Sequence, residues 1–239
     1  MDEKQAGTIK ELMSTVLSYN PEMVILFGST ARGEADEFSD IDMLILLQTD
    51  KPEAMARKIK ADTDHIAAEK DIKVITPDEY YNQRDIPGTI LFPILNEGIV
   101  LYKKPGFKKD VEPSIKYEER KRNIIKKEFI EQAFAFMEKA EAAIEKNNMF
   151  RFRDYMRFAL LRALKAVFVL KDIHPPRETD PGVLLEKATD LHPVVRELTP
   201  LIKRLKEFYP DVDNMPPDDP RELLDTASYI IRRVNKVLS

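Results

Sequence analysis

The chain has 239 residues, 43% of them hydrophobic and 33% charged, with no cysteine and three histidines. That balance excludes a disordered tail or a collagen-like repeat, and the missing cysteines remove disulfide scaffolds, zinc-thiolate sites, iron-sulfur clusters and cysteine nucleophiles. The net charge of -4 is uneven: Met1 to Tyr102 holds ten Lys and Arg against nineteen Asp and Glu, and Lys103 to Ser239 holds twenty-eight against twenty-three.

An acidic first part and a mildly basic second part suit two domains, or an acidic metal-binding half beside a basic partner for an anionic substrate. No apolar run reaches the roughly 18 residues of a membrane span, and MDEKQAGTIKELM lacks the pattern of a signal peptide. A cytoplasmic protein without a membrane partner is expected.

In chain order, Ile9, Leu12, Met13, Val16 and Leu17 recur at helical spacing, and Asn20-Pro21 ends that helix. Met23 to Phe27 and Ile41 to Leu47 read as buried strands around the polar, glycine-punctuated stretch GSTARGEADEFSD. Lys51 to Glu69 has helical periodicity, and Ile72 to Ile75 is a third strand. Thr76-Pro77-Asp78-Glu79 is the grammar of a capped helix start. Thr89 to Glu97 reads as a helix ended by Gly98 at its C′ position, before a strand from Ile99 to Tyr102. The basic stretch KKPGFKK after Tyr102 is broken by Pro-Gly and reads as a domain boundary.

Everything after that boundary is helical in pattern. A long helix spans Lys116 to Lys146 and a second spans Arg151 to Lys171, separated by Asn147-Asn148. Asp180-Pro181, Thr199-Pro200 and Asp219-Pro220 each read as a further start, running through Ala188, Phe208 and Val237. With no strand signal here, the half reads as a helix bundle. His174 before its two prolines reads as a helix-end residue. Arg153 and Arg157, four apart, share a helix face that can reach toward the acidic half or toward an anionic substrate.

The chemistry concentrates in Gly28-Ser29-Thr30-Ala31-Arg32-Gly33 and in Ser39-Asp40-Ile41-Asp42 at the head of a strand. Asp40 and Asp42 are two apart, so an extended chain turns both to one face, with Cα atoms about 6.5–7 Å apart. Carboxylates at that spacing can share Mg²⁺ ions that clamp the oxygens of a phosphoryl transfer. Gly28-Ser29 lets backbone N–H groups approach a phosphate, and Arg32 is near to neutralise it. Each piece alone is an ordinary turn or strand cap; in this order they describe one arrangement in space.

GSTARGEADEFSDIDMLI resembles the signature of the DNA polymerase β-like nucleotidyltransferase superfamily in its minimal branch, a GSxxxG followed by DxD. PGTILFPILNEGIVLY is similar to the segment that closes that minimal domain. The resemblance implies Mg²⁺-dependent transfer of a nucleoside monophosphate from an NTP, ATP first among them, to an acceptor hydroxyl, with pyrophosphate leaving. Carried over, Gly28, Ser29, Arg32 and Ser39 bind the nucleotide, and Asp40, Asp42 and Asp71 are the catalytic, metal-binding acids. Asp71 stands for the third acid on the next core strand, metal ligand and base for the attacking hydroxyl.

ALLRALKAVFVLKDIHPP, from Ala159 to Pro176, is similar to a helix and turn of HEPN domains, helical bundles often joined to such nucleotidyltransferases. Phe158 and Leu161 stand where that family often has Gln and Glu. No Arg precedes a His at the spacing of HEPN ribonucleases, so RNA cleavage is not expected. Nucleic acid is not indicated as acceptor, since basic runs with interleaved strand aromatics are missing.

The expectation is an α+β fold: a small mixed-sheet nucleotidyltransferase domain over 1–102, a linker over 103–116, and an all-α HEPN-like bundle over 117–239. Its partners are an NTP and an unidentified hydroxyl acceptor, a small molecule or a protein, with a homodimer admitted. The alternative is a non-catalytic nucleotide-binding regulator of the toxin-antitoxin type.

Overall fold

A computed structural model of the chain describes residues 3–35, 39–206 and 220–238. It divides into two compact units, residues 1–85 with 90–115 and residues 86–89 with 116–239. The first is a small mixed sheet with helices and the second is entirely helical.

In the first unit, α1 (Glu3–Leu17) buries Ile9, Leu12 and Val16, and the chain leaves it through Asn20 at φ 56. Strands β1 (Met23–Phe27), β2 (Ile41–Leu46), β3 (Lys70–Ile75) and β4 (Ile99–Lys103) lie in the order β3-β2-β1-β4. β1 runs antiparallel to both β2 and β4, and β2 runs parallel to β3. A strand between two others, covered on both faces, has no solvent side, which is why β1 and β2 read as unbroken apolar runs. Val24, Leu26, Met43, Ile45, Ile72 and Val74 share one face with α1 and with Ile59 of α3 (Pro52–Asp62). Met23, Ile25, Leu44 and Leu46 share the other with Tyr80 of α4 (Pro77–Gln83) and with Leu91 and Ile94 of α5 (Leu91–Glu97).

The local signals hold where side-chain capping supplies them. Thr76 Oγ1 accepts the N–H of Glu79 at 3.1 Å and the Glu79 carboxylate accepts the N–H of Thr76 at 2.8 Å, a complete capping box. Gly98 does not take the left-handed C′ conformation; its φ is -79. The position is small because a Cβ there would press on Ile25 Cγ2 at 2.7 Å and on the Leu26 carbonyl at 3.0 Å. α3 stops at Asp62 although helical periodicity runs on to Glu69, and Ile66 is buried from the following turns.

Residues 103–116, expected to be a linker, lie with the first unit through Ile115. Phe107 stacks on Tyr81 at 6.1 Å, the Tyr81 hydroxyl donates to the Lys108 carbonyl at 2.8 Å, and Lys104 pairs with Glu22 at 3.0 Å.

In the second unit, α6 (Tyr117–Ile124) passes through a π-helical stretch, Ile125–Glu131, into α7 (Gln132–Glu145), so one continuous rod is wound in two ways. Ile124 and Phe129, and Ile125 and Ile130, are all buried at five-residue steps. α-Winding would turn such a pair about 140° apart, whereas i→i+5 winding keeps it on the core side. α8 (Met149–Leu170) is buried on one stripe in its first half and nearly all round from Ala159 to Val169, the pattern of a central helix. Around it lie α7, α9 (Pro181–Ala188) and α11 (Pro220–Leu238), with α10 (Pro193–Lys206) against α9 and α11.

Asp180 caps α9 as its sequence suggests, accepting from the N–H of Gly182 at 2.6 Å and of Val183 at 3.1 Å. α10 departs from the reading, since it begins at Pro193 and carries Pro200 inside it. His192 supplies the start by accepting the N–H of Val194 at 3.2 Å. Val194, Val195, Leu198 and Ile202 are buried through the proline, and this apolar face outweighs the lost backbone bond. Phe208 and Asp219, the expected end of that helix and cap of the last, lie outside the described residues.

The segment Ile86–Thr89 belongs to the helical unit, so α5 starts only at Leu91 rather than at Thr89. Ile86 is fully buried, and Gly88 donates its N–H to His174 Nδ1 at 3.2 Å. Gly88 has φ +89, and a Cβ there would overlap Val169 and press on Phe129 at 3.0 Å. Gly106 also has positive φ, +86, but nothing stands within 4 Å of a Cβ. Gly88→Ala is therefore expected to cost about 1–3 kcal/mol more than Gly106→Ala, the overpacking share of the penalty, as chemical denaturation would measure. Equal losses would assign both effects to the backbone alone.

Candidate functional site

The register of the sheet sets Asp42 directly between Phe27 of β1 and Asp71 of β3. Residues paired across a ladder point to the same face, so Asp42 and Asp71 share the face that carries Ile25, Leu44 and Leu46. That face is apolar under α4 and α5 and turns to carboxylate at its other end. Asp40 lies just before β2, with Ile41 between it and Asp42 buried in the opposite core.

Gly28 opens the short helix α2 (Gly28–Arg32) straight from the end of β1, at φ +72. A Cβ at this position would overlap the Asp42 carboxylate, so glycine is required both by conformation and by space. Gly33, at φ 74, closes the helix, its N–H donating to the Thr30 carbonyl at 3.3 Å. Thr30 escaped the sequence reading, although it is buried and its Oγ1 donates to the Asp40 carbonyl at 3.2 Å. The hydroxyl ties α2 to the loop end that carries Asp40; a β-branched polar residue inside a glycine-flanked turn was the available signal.

The head of β3 is held to β2 where Ile41 donates its N–H to the Glu69 carbonyl at 2.9 Å. Beside it, the buried Lys70 ammonium donates to the carbonyls of Ile66 at 3.0 Å and Ala68 at 3.3 Å. Lys73 lies two residues beyond Asp71 on the same face and pairs with it at 3.8 Å. Ser29 and Ser39 are half-buried. Arg32 is engaged with Glu34 at 2.7 Å and Glu97 at 3.4 Å. Both pairs are solvent-exposed, the kind worth about 0–1 kcal/mol.

Burial first, and then the charges of Asp71 and Asp40, push the Asp42 carboxyl above the usual carboxylate range, while Lys73 and Arg32 pull the other way. The cluster is thus a set of hard oxygen donors whose repulsion a cation would relieve. Among the described residues, no three His, Cys, Asp or Glu stand close enough together as placed to hold a metal ion.

Arg157, read as a candidate for an anionic substrate, is occupied within the helical unit. It pairs with Asp154 at 3.3 Å, donates to the Thr179 carbonyl at 3.4 Å and lies over the Phe158 ring at 4.8 Å. No described helix is long and apolar enough to cross a membrane.

Residues 8–106 match the family model described as polymerase beta, nucleotidyltransferase, and residues 126–239 match that of the HEPN domain. The chain joins a nucleotidyltransferase domain to a HEPN domain. A Methanocaldococcus jannaschii protein with the provisional name protein adenylyltransferase is 54% identical over 39 residues, 16% of this chain. That match spans 39% of the relative's length. Among solved structures, a nucleotidyltransferase-like protein of Exiguobacterium sibiricum aligns over 99% of this chain and 75% of its own, at 10% identity and TM-score 0.46. A spectinomycin adenyltransferase of Enterococcus faecialis, solved with ATP and spectinomycin, aligns over 98% of this chain and 100% of its own, at 15% identity and TM-score 0.45.

The raised carboxyl in the nucleotidyltransferase domain has a measurable sign. A folded-state value above the unfolded one means that the folded state binds more protons, so this contribution to stability is present at acid pH and is lost as pH rises through the folded value. Without divalent cations, Asp42→Asn should gain melting temperature relative to the wild type at neutral pH, and the gain should vanish below the ordinary Asp range. A constant difference across pH would remove charge crowding as its cause.

Proposed function

We propose that the nucleotidyltransferase domain transfers a nucleoside monophosphate from an NTP, adenylate from ATP first, to an acceptor hydroxyl with release of pyrophosphate. The observation that carries this reading is the Asp42–Asp71 row with Gly28 closed against Asp42, in a domain that matches the nucleotidyltransferase model.

The donor set fits Mg²⁺: every group is a hard oxygen, and the carboxylates already crowd one another. Asp40, Asp42 and Asp71 would hold the ion, which when bound neutralises charge on the phosphoryl oxygens. Asp71 would turn from Lys73 at little cost, because an exposed pair at 3.8 Å is worth about 0–1 kcal/mol.

The backbone at Gly28 and Ser29 cradles the triphosphate, Ser39 adds a hydroxyl, and Arg32 exchanges its exposed carboxylate partners for phosphate. The acceptor oxygen attacks the α-phosphorus while the bond from that phosphorus to the bridging oxygen breaks. Pyrophosphate leaves, and the acceptor's proton passes to the Asp71 carboxylate. The name of the Methanocaldococcus jannaschii relative supports a protein hydroxyl as acceptor, with a small hydroxylated compound as the other class.

A second reading, NTP binding without turnover, draws on the Lys73–Asp71 pair, which engages the acid that would take the proton. Pyrophosphate release from ATP and Mg²⁺ separates the two. Under the catalytic reading Asp71→Asn lowers the rate by about 10²–10⁴-fold, and Asp42→Asn lowers it at least as far. Mg²⁺-dependent ATP binding that Asp42→Asn abolishes, with no release in the wild type, would select the regulator. Equal ATP binding by both proteins would overturn the metal assignment.

A further inference from the structure

The helical unit holds a cleft of about 280 Å³ where α7 turns into α8, and nothing in the nucleotidyl-transfer reading uses it. Three of its lining side chains are the cations Lys139, Lys146 and Arg151, joined by Asn148 and Tyr155 over a floor of Ala142 and Ala143. No carboxylate lines it; Glu141 and Glu145 are exposed on α7 outside the lining. Among the described residues neither Lys146 nor Arg151 has an ion-pair partner, and Lys139 lies over the Phe136 ring at 5.3 Å.

Cations at a helix end often serve only to complement the carbonyls there. Here the turn does that by itself. Asn147 sits at φ 52, its N–H donates to the Ile144 carbonyl at 2.9 Å, and the N–H of Asn148 donates to the Ala143 carbonyl at 2.8 Å. Those two bonds are the Schellman pattern, and the N–H of Lys146 takes the Ala142 carbonyl at 3.3 Å. The cations are left without a capping duty.

The 22-residue α8 then starts at the same cleft with no acid in its first turn, its positive end adding to their charge. The Asn148 side chain accepts only the N–H of Arg151, at 3.1 Å, so one of the four N-terminal donors is met by that cap. Tyr155, half-buried and stacked on Phe136 at 6.4 Å, offers a hydroxyl and a ring edge. Three cationic residues lining one cleft with no carboxylate among them supply the charge, and Arg151 the forked donor, that a phosphate group takes, and the volume admits a molecule no larger than a mononucleotide.

We infer that this cleft is an anion site for a phosphate group, free or carried by a small phosphomonoester. Calorimetric titration of the full chain without divalent cations tests it, with inorganic phosphate, pyrophosphate and adenosine monophosphate as probes. At least one probe should bind with a dissociation constant in the millimolar range or tighter, and the affinity should fall as salt rises. The charge-removing double variant Lys146→Met with Arg151→Gln should weaken it by about tenfold or more, while Lys146→Arg keeps it.

Both altered residues are exposed, so the melting temperature and the rate of pyrophosphate release should stay at wild-type values. Adenosine monophosphate binding about tenfold tighter than phosphate assigns the ligand to a nucleotide, and equal affinities assign it to free phosphate. No binding of any probe, or binding that the double variant leaves unchanged, overturns the site.

Discussion

One close approach organises the nucleotidyltransferase domain: the backbone of Gly28 against the carboxylate of Asp42. It demands a residue without a Cβ at positive φ where β1 becomes α2, and it demands that β2 lie beside β1 in the register that pairs Phe27 with Asp42. That register also decides which carboxylate joins the cluster, because β3 runs parallel to β2 with Asp71 opposite Asp42. The apolar halves of the same strands hold the arrangement rigid. A one-residue slip of β2 would carry Leu44 and Leu46 from one core to the other, and both are fully buried.

A comparable dependence runs through the HEPN domain, where α8 is the element that the others share. Its stretch from Ala159 to Val169 is buried nearly all round, with only Arg162 and Lys165 partly exposed, so α7, α9 and α11 can each pack on it. The segment Ile86–Thr89 uses the same core, with Gly88 against Val169 and Phe129 and its N–H on His174. A short piece of chain from within the first domain's sequence is thereby part of the second domain's interior. The charged cleft at the start of α8 lies at the end of that helix where the buried stripe is narrowest.

Much of this was legible because the signals were local. The capping box at Thr76 and the Asp180 cap are complete within four residues, and β1 and β2 announce themselves as apolar runs too short for helices. The glycine-serine turn and the spaced acids were legible for the same reason. The role of Thr30 was not, since its hydroxyl answers a carbonyl ten residues on. The placement of residues 103–116 was not, since Pro-Gly and lysines look alike in a linker and in a strap packed on Tyr81. Pro200 misled because a proline is usually a start signal, and the apolar face that carries α10 through it became visible only with the helices that cover it.

Sequence by itself determined the element types, the two-domain character and the chemical identity of the cluster, because periodicity, glycine punctuation and carboxylate spacing are properties of neighbouring residues. Tertiary structure alone decided the order β3-β2-β1-β4 and which acid stands opposite Asp42. It also decided the Lys73 pairing, the allegiance of Ile86–Thr89 and the gathering of Lys139, Lys146 and Arg151 around one cleft. Each of these joins residues through strand register or helix packing, and the free energy that selects such a pairing comes from burying whole faces together.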